Sequence, residues 1–371
     1  MVELRLHDSF NELPQGYRDV LEAASQRSFF YSVAWFELLA RTMLRHDERL
    51  VVAGLHDGHD AERPSAVFVG CDRPAQGLSG QRSRRGLTNF YSLQFDPMLA
   101  IEESGPTQVR EMVRGLSGTG ARFDVLQLEP LAAEHPHLQT MIDALRDEGY
   151  AVSSYFRFRN WYHPTAGCNA RAYLASRPSR LRNTIERRSK KLARAGAVRF
   201  DLVDSHDGLD QAIAAYETVY AKSWKDPEEF PGFMADLART CAALGALRLG
   251  SIYLDGVPIA AQLWIVWQGV ATIYKLAHDE DYRELSAGTI LTWHMMEAAL
   301  DRDRVREVDF GSGDESYKRE WMSKHRDRRA ILACNTRSLR GGLAALRHIA
   351  PTALRRLWHG GRESRSEVPL D

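Results

Sequence analysis

The stretch that decides the fold runs from Leu263 to Trp321 and alternates strand, turn, helix, strand and glycine-rich turn. It opens with Gln262-Leu-Trp-Ile-Val-Trp267 and Ala271-Thr-Ile-Tyr-Lys-Leu-Ala277, two apolar segments whose branched and aromatic residues predict a strand pair. Apolar residues then recur on one face of a predicted helix, at Leu291, Met295, Ala298 and Ala299. The stretch closes with Glu307-Val-Asp-Phe-Gly-Ser-Gly-Asp-Glu-Ser-Tyr-Lys318, a predicted strand that runs into glycines and a lysine. Strands separated by a helix in this order predict a mixed α/β sheet.

The predicted helix starts at about Ser286, and its first turn has the features of an anion site. Ser286 is a candidate N-cap, and Gly288 lets a ligand come close to the backbone. The first amides of a helix have no intrahelical acceptor and the helix dipole is positive there, so this end favours phosphate. Arg283, three residues before Ser286, can add a charged fork. An ordinary capped helix start has the same residues, so that interpretation stays open.

This loop resembles a known motif. Arg283-Glu-Leu-Ser286-Ala-Gly288 is similar to the Arg/Gln-x-x-Gly-x-Gly/Ala loop that holds the CoA pyrophosphate in GNAT acyltransferases, with serine in place of the first glycine. The resemblance is closer to the branch that includes the FemAB-like peptidyl transferases and the CelD/BcsL-type acetyltransferases. It rests on four segments in order: Leu181-Arg-Asn-Thr-Ile-Glu-Arg-Arg-Ser-Lys-Lys-Leu192, Asp255-Gly-Val-Pro-Ile-Ala-Ala261, Ser286-Ala-Gly-Thr-Ile-Leu291 and Asp309-Phe-Gly-x-Gly-x-x-x-Tyr-Lys-x-x-Trp321.

The resemblance covers residues 170–335 well and the first 160 residues weakly. It implies an α/β (α+β) fold of tandem GNAT-like lobes, each with a mixed central sheet flanked by helices. The length of 371 residues also favours two domains. We expect an N-terminal lobe at 1–165, a C-terminal acyltransferase lobe at 166–338, and a basic helix with a polar tail at 339–371. Residues 75–85, rich in glycine, serine and arginine, are expected to form a loose loop.

The resemblance also implies site residues. The candidates for binding CoA are Arg283, Ser286, Ala287, Gly288, Thr289 and Lys275, the last being a lysine inside an apolar strand. The catalytic candidates are Lys318, Tyr317 and Asp309, and the candidates for binding the acceptor are Tyr91, Asp96 and Glu315. Lys318 matches a lysine that in FemAB-like transferases is thought to hold the substrate carbonyl, and a cation there would stabilise a developing oxyanion.

Each of these residues also has a structural interpretation that the sequence leaves open. Tyr317 could protonate the leaving thiolate or be a core aromatic residue. Asp309 and Glu315 could act as bases or be solvated turn carboxylates. The Tyr91 to Asp96 segment could be an aromatic core turn, and Lys275 could be an edge-strand lysine whose ammonium reaches solvent.

Composition excludes several classes of protein. Lys and Arg together equal Asp and Glu at 49 each, so no global field favours nucleic acid, DNA included, or a membrane. The four cysteines form no Cys-x-x-Cys pair, which argues against a structural zinc and suits the cytoplasm. No metal site, signal peptide, P-loop, dinucleotide fingerprint or run of 18 apolar residues is visible. Peripheral contact with a membrane stays open.

A basic helix precedes this unit. The segment from Arg180 to Arg194 carries seven Lys and Arg residues. It could bind tRNA, a phosphorylated acceptor or anionic lipid, or it could be a solvated helix face with Leu181, Ile185 and Leu192 packed inward.

Together these patterns predict an N-acyltransferase that moves an acyl group from acyl-CoA to an amine. The expected acceptor is a small molecule or a glycan or peptide amine, with a cell-envelope or polysaccharide precursor as one class and a small amine metabolite as another. The first alternative is an aminoacyl-tRNA-dependent peptidyl transferase of FemAB type, although no heptad arm is visible. The second is a non-catalytic GNAT-shaped scaffold, which the serine in the phosphate loop keeps open.

Overall fold

The computed structural model of the chain describes residues 3–56, 62–77, 80–100, 105–118 and 123–350. The strands of the first half are β1 (Glu3–His7), β2 (Arg49–His56), β3 (Ala66–Arg73), β4 (Ser83–Gly86), β5 (Val125–Ala132) and β6 (Tyr150–Pro164). Its helices are α1 (Gln15–Ser25), α2 (Val33–Met43), α3 (Pro106–Gly118) and α4 (Leu138–Asp147), with a 3-10 turn at Phe29–Tyr31.

The second half contains β7 (Val198–Val203), β8 (Leu247–Leu254), β9 (Val257–Trp267), β10 (Val270–His278), β11 (Glu307–Ser312) and β12 (Lys324–Asn335). Its helices are α5 (Ala170–Ala175), α6 (Ser179–Ala193), α7 (Leu209–Ala221), α8 (Phe233–Ala243), α9 (Ala287–Glu297), α10 (Lys318–Trp321) and α11 (Leu339–His348). A 3-10 turn at Glu280–Leu285 precedes α9, and a π-helical turn at Ala298–Arg302 follows it.

The described strands form one mixed sheet in the order β1-β2-β3-β4-β5-β12-β6-β11-β10-β9-β8-β7. The order is symmetric about the β12–β6 pair, because β1 to β5 on one side mirror β7 to β11 on the other. Among the described pairings β4–β5 and β10–β11 are parallel and the others antiparallel, so the halves also match in strand direction. The predicted fold of tandem lobes, each a mixed sheet flanked by helices, is confirmed.

The last strand of each half crosses to the other half. β6 ends the first half but pairs with β11, and β12 ends the second half but pairs with β5. The two crossing strands pair with each other from Lys324–Tyr162 to Asn335–Tyr150. The sheet is therefore continuous across residue 165, and the domain boundary that we expect there stays a prediction.

Helices cover both faces of the sheet. On one face α1 and α2 share an apolar cluster with α7 and α8, centred on side chains such as Trp35 and Phe233. The Trp267 indole donates to the carbonyl oxygen of Ser25 at 2.7 Å, a further link between the halves. On the other face α6 and α9 pack on β8 to β11, and α3 and α4 pack on β2, β3 and β5. A core shared by both halves fixes their relative position, so a site can draw residues from each.

Two sequence expectations were wrong in detail. Strand β4 (Ser83–Gly86) overlaps the end of the segment 75–85 that we expected to be a loop. In it Arg84 is buried and paired with Asp72 at 2.7 and 2.9 Å. Ser286 begins α9 with a left-handed φ of 56° and makes no side-chain capping bond. The helix expected beyond Leu339 is present as α11, while the polar tail at 351–371 lies outside the described residues. No described helix has the length and apolar character needed to cross a membrane.

Candidate functional site

The site is built at a split in the sheet between β10 and β11. These parallel strands are paired only from Val270–Glu307 to Thr272–Asp309. The register of β10 with β9 then shifts between Ile273 and Lys275. Beyond that point the ends of β10 and β11 lead to different elements, β10 to the start of α9 and β11 to the glycine turn. The carboxyl end of a parallel pair is a common place for a ligand cleft.

The first turn of α9 leaves backbone donors unused. Ser286 takes the left-handed conformation that the 3-10 turn before it requires, and Thr289 and Ile290 donate to the Ser286 carbonyl oxygen at 3.1 and 3.2 Å. The amides of Ala287 and Gly288 come before any intrahelical acceptor. A methyl group built at Gly288 would lie 3.5 Å from His278 Nδ1, an ordinary contact. Packing within the protein therefore does not require glycine here, whereas close approach of a ligand would.

Basic side chains lie beside this turn, which itself also carries Glu280, Asp281 and Glu284. Arg283 is exposed on the 3-10 turn. From α6, Arg188 and Lys191 donate to the carbonyl oxygen of Glu284 at 2.7 and 3.0 Å. The basic helix is thus packed beside the loop that the sequence predicts for phosphate binding, and its Leu181, Ile185 and Leu192 face inward as one alternative expected.

Lys275 lies at the split and joins the two halves. Its Nζ donates to the carboxylate of Glu228 at 3.0 and 3.3 Å and lies 4.5 Å from the centre of the Tyr91 ring. The Tyr91 hydroxyl donates to the same carboxylate, and Tyr274 donates to the Tyr91 carbonyl oxygen at 3.0 Å. Burial lowers the pKa of Lys275, and the charge of Glu228 opposes that shift. Burial raises the pKa of Tyr91, and Glu228 adds to the rise.

A second lysine of the site lies on the loop between α7 and α8. Burial lowers the pKa of Lys225 to about 8; the charges of Lys275 and Lys318 add to this shift and Glu228 opposes it. The neighbouring Trp224 ring lies 4.5 Å from the His278 ring, which in turn faces Gly288. Trp224 and His278 therefore connect the predicted phosphate loop to the loop that carries Lys225.

Lys318 begins α10, just after the glycine turn that follows β11. Its side chain is buried, its Nζ lies 2.9 Å from Glu315 Oε2, and it donates to the carbonyl oxygen of Ser312. The Tyr317 ring packs edge-on against Phe310 at 5.5 Å and remains partly exposed. Burial raises the pKa of Tyr317, as does the nearby Glu315, so its hydroxyl keeps its proton.

Two predicted site residues belong to other clusters. Asp309 accepts from Asn160 at 2.5 Å, from the Gly311 amide at 2.7 Å and from Arg326 at 2.6 Å, so both its oxygens are engaged. Asp96 accepts from the Met98 amide at 2.8 Å. The structure therefore joins Tyr91 and Lys275 at Glu228 and holds Lys318 beside Glu315, with Tyr317 next to it. The charges of both lysines act on Lys225, so these two groups are near each other, while Asp309 and Asp96 lie in separate hydrogen-bond networks.

Sequence reasoning missed Lys225 and Glu228. The sequence signal for these two residues is the polar and aromatic loop between two helices, Trp224-Lys-Asp-Pro-Glu-Glu-Phe230. Its partners could not be inferred, because Glu228 meets Lys275 across 47 residues and Tyr91 across 137. Within the described residues no group of histidine, cysteine and acidic side chains could hold a metal ion.

Comparison with known proteins agrees with this fold. A family model described as an acetyltransferase (GNAT) domain matches residues 179–319. The fold is similar to that of a structure titled FemX, at 10% identity and a TM-score of 0.61, covering 88% of this chain and 96% of that one. The C-terminal domain (DUF2156) of a putative lysylphosphatidylglycerol synthetase from Agrobacterium fabrum is similar at 16% identity and a TM-score of 0.51, covering 89% and 96%. L-PGS from Bacillus licheniformis is similar at 13% identity and a TM-score of 0.50, covering 90% and 96%. No curated protein matches the chain significantly.

Proposed function

Because the chain belongs to the GNAT superfamily and has a FemAB-like fold, we propose that it is an N-acyltransferase that moves an acyl group from acyl-CoA to an amine. The observation that carries the proposal is the split between β10 and β11. After β10 the chain leads to the unused amides of Ala287 and Gly288, and after β11 it leads to the buried Lys318. Acyl transfer from a phosphate-bearing thioester needs both kinds of group.

The donor would bind with its pyrophosphate at the start of α9. The Ala287 and Gly288 amides and the helix dipole would hold the phosphate oxygens. Arg283 would add a charged hydrogen bond, and Thr289 lies next along the same turn. Lys275 would act indirectly, because its ammonium is held by Glu228 within the protein.

The amine would attack the thioester carbonyl directly, as the family resemblance implies. In that step the carbonyl oxygen gains negative charge, which the Lys318 ammonium would stabilise more strongly than it stabilises the ground state. The Tyr317 hydroxyl stays protonated over the working pH range, so it can donate a hydrogen bond to the departing thiolate.

The attacking amine must lose a proton, and we assign its acceptance to Lys225. A side chain with a pKa of about 8 is partly neutral close to physiological pH, which is the requirement for a general base. Glu228 would hold Lys275 and Tyr91 in position around it and is a positioning residue in this scheme. Glu315 would orient Lys318 through their ion pair.

The acceptor would lie between the halves, where Tyr91 from the first half meets Glu228 and Lys275 from the second. An amine on a cell-envelope or polysaccharide precursor is one acceptor class that fits this proposal, and a small amine metabolite is another. We assign the reaction to the cytoplasm, since all four cysteines are free.

One observation favours a second candidate, an aminoacyl-tRNA donor. The outer face of α6 lines an open basic groove of about 730 Å³ beside the predicted phosphate loop. The groove is lined by Arg180, Asn183, Thr184, Glu186, Arg187, Lys190, Lys191 and Arg194. A nucleic acid bound there would make affinity fall steeply with salt.

Thermal melting in the presence of different ligands separates these proposals. Acyl-CoA at about a hundred times its dissociation constant should add about 2.7 kcal/mol to the free energy of unfolding. The Arg283→Ala variant should lose most of that gain, and Arg18→Ala, a change at a distant arginine, should keep it. Salt-sensitive stabilisation by charged tRNA without any effect of CoA would replace the first proposal with the second. No effect of either ligand would support a non-catalytic scaffold.

A further inference from the structure

Helix α11 turns its apolar side away from the protein. Its leucines lie four and three residues apart and form one stripe: Leu339 is 91% exposed, Leu343 is 66% exposed and Leu346 is 67% exposed. No other large apolar side chain in the described ranges is as exposed as these three. Buried leucine is the rule in helices that pack on a sheet, so an outward stripe indicates a surface that another body covers.

The other side of α11 fixes this orientation. Ser338 caps the helix, accepting from the Gly341 amide at 2.9 Å and donating to Asp124 at 2.7 Å. Gly341 lies against backbone, since a methyl group there would come within 2.2 Å of the Asn335 carbonyl oxygen. Ala344 is buried on the same side. The helix therefore cannot rotate to bury its leucines without losing its cap and this close backbone contact.

Positive charge accompanies the stripe. Residues 335–362 contain no aspartate or glutamate and six arginines: Arg337, Arg340, Arg347, Arg355, Arg356 and Arg362. This is a local excess, because the whole chain has a formal net charge of zero. Leucines beside arginines on a helix that lies along the protein surface are the composition of a helix at the interface of an anionic membrane.

We propose that the leucine stripe of α11 docks on the surface of a lipid bilayer that contains anionic lipids. A second copy of the chain fits less well, because pairing the two stripes would bring the arginine-rich segments of both copies together. The segment after α11 also fits less well as a cover, because it repeats the same leucine and arginine composition and would carry like charge. An anionic bilayer satisfies both features, since it takes up apolar side chains and neutralises arginine.

The docking surface lies far from the acyl-transfer cleft. β12 starts at Lys324, just after α10, and ends at Asn335, just before α11. Eleven residue steps at about 3.3 Å each separate the two ends by roughly 36 Å. Membrane contact through α11 would therefore anchor the protein while the cleft remains open to the aqueous phase. This inference does not depend on the proposed acyl transfer.

Co-sedimentation of the full chain with vesicles tests the proposal. We expect binding to phosphatidylcholine vesicles that contain phosphatidylglycerol, weaker binding at high salt, and little binding to phosphatidylcholine alone. Replacing all three leucines, as Leu339→Ser, Leu343→Ser and Leu346→Ser, should lower partitioning at least tenfold with no loss of thermal stability. Val257→Ser, at an exposed apolar residue of β9, is the matched control and should bind as the wild type does.

Four results would overturn the proposal. Undiminished binding by the triple variant would remove the role of the stripe, and equal binding to neutral vesicles would remove the role of anionic lipid. Absence of vesicle binding would refute the surface altogether. A concentration-dependent dimer that the triple variant loses, without vesicle binding, would assign the stripe to a second copy of the chain.

Discussion

Gly288 separates a ligand-binding role from a packing role more sharply than any other residue of the cleft. A Cβ added there would meet only His278, at 3.5 Å from Nδ1 and 3.8 Å from Cβ, so the folded protein should accept alanine. Alanine is favoured over glycine within a helix by up to ~1 kcal/mol, so stability should stay level or rise. The methyl group would instead occupy the space through which a phosphate reaches the amides of the first turn.

The expected loss of affinity follows from the hydrogen bonds at stake. A hydrogen bond to a charged group contributes ~1.5–3 kcal/mol, so losing one such bond to phosphate should weaken CoA binding roughly tenfold to a hundredfold. Isothermal titration of CoA into wild type and Gly288→Ala measures this directly, and a melting curve measures stability alongside.

Gly342 of α11 provides the matched control. A Cβ added at Gly342 would meet nothing within 4 Å, so Gly342→Ala makes the same substitution on an open helix face. It should leave CoA binding unchanged. The reasoning would be refuted if Gly288→Ala bound CoA as tightly as the wild type, or if it unfolded while Gly342→Ala did not.

Three further results are expected. If Lys225 is the base, kcat/KM should rise with pH and level off above the Lys225 pKa of about 8, because only the neutral amine accepts a proton. Lys225→Met should lose most activity. A pH profile of kcat/KM that is unchanged in this variant would remove the role of Lys225. Ser286 has a φ of 56°, a left-handed conformation that is strained for residues other than glycine. Ser286→Gly should therefore stabilise the protein by about 1 kcal/mol in denaturant titrations, whereas Ser286→Ala should not. Equal effects of the two substitutions would contradict backbone strain at this position. Arg328 is 5% exposed, its Nε has no hydrogen-bond partner, and its pKa is lowered by burial and by Arg326. Arg328→Met should therefore stabilise the fold by about 1 kcal/mol or more. A loss of stability would show that Arg328 has a compensating partner.

The sequence was most informative where the structure is local. The segment from Leu263 to Trp321 folds as the predicted strand pair, helix and strand, because periodicity and turn residues act over a few positions. The position of Lys318 beside a glycine turn could be predicted for the same reason, since the glycines and the lysine are close in sequence. Ser286 was the exception, because the sequence predicts it as a capping residue and its side chain makes no capping bond. Its left-handed backbone conformation accounts for the glycine at this place in the motif that the loop resembles.

Features that depend on contacts between distant parts of the chain could not be predicted from local sequence patterns. The exchange of β6 and β12 between the halves is set by pairing over more than 150 residues, and nothing in either strand encodes its partner. Strand β4 is short and arginine-rich, and it exists because Asp72 on the next strand neutralises Arg84. The Glu228 carboxylate acquires its role only when Tyr91 and Lys275 meet it in the fold.

Hydrogen–deuterium exchange of the wild-type protein with and without acetyl-CoA tests the central claim most directly. The amides of Ala287 and Gly288 precede any intrahelical acceptor, so without ligand they should exchange fast. The account predicts that acetyl-CoA slows exchange in the segment from Arg283 to Ile290 and in the end of β10, and leaves α3 and α4 unchanged. Protection absent from that segment, or confined to another part of the chain, would contradict a CoA site at the start of α9.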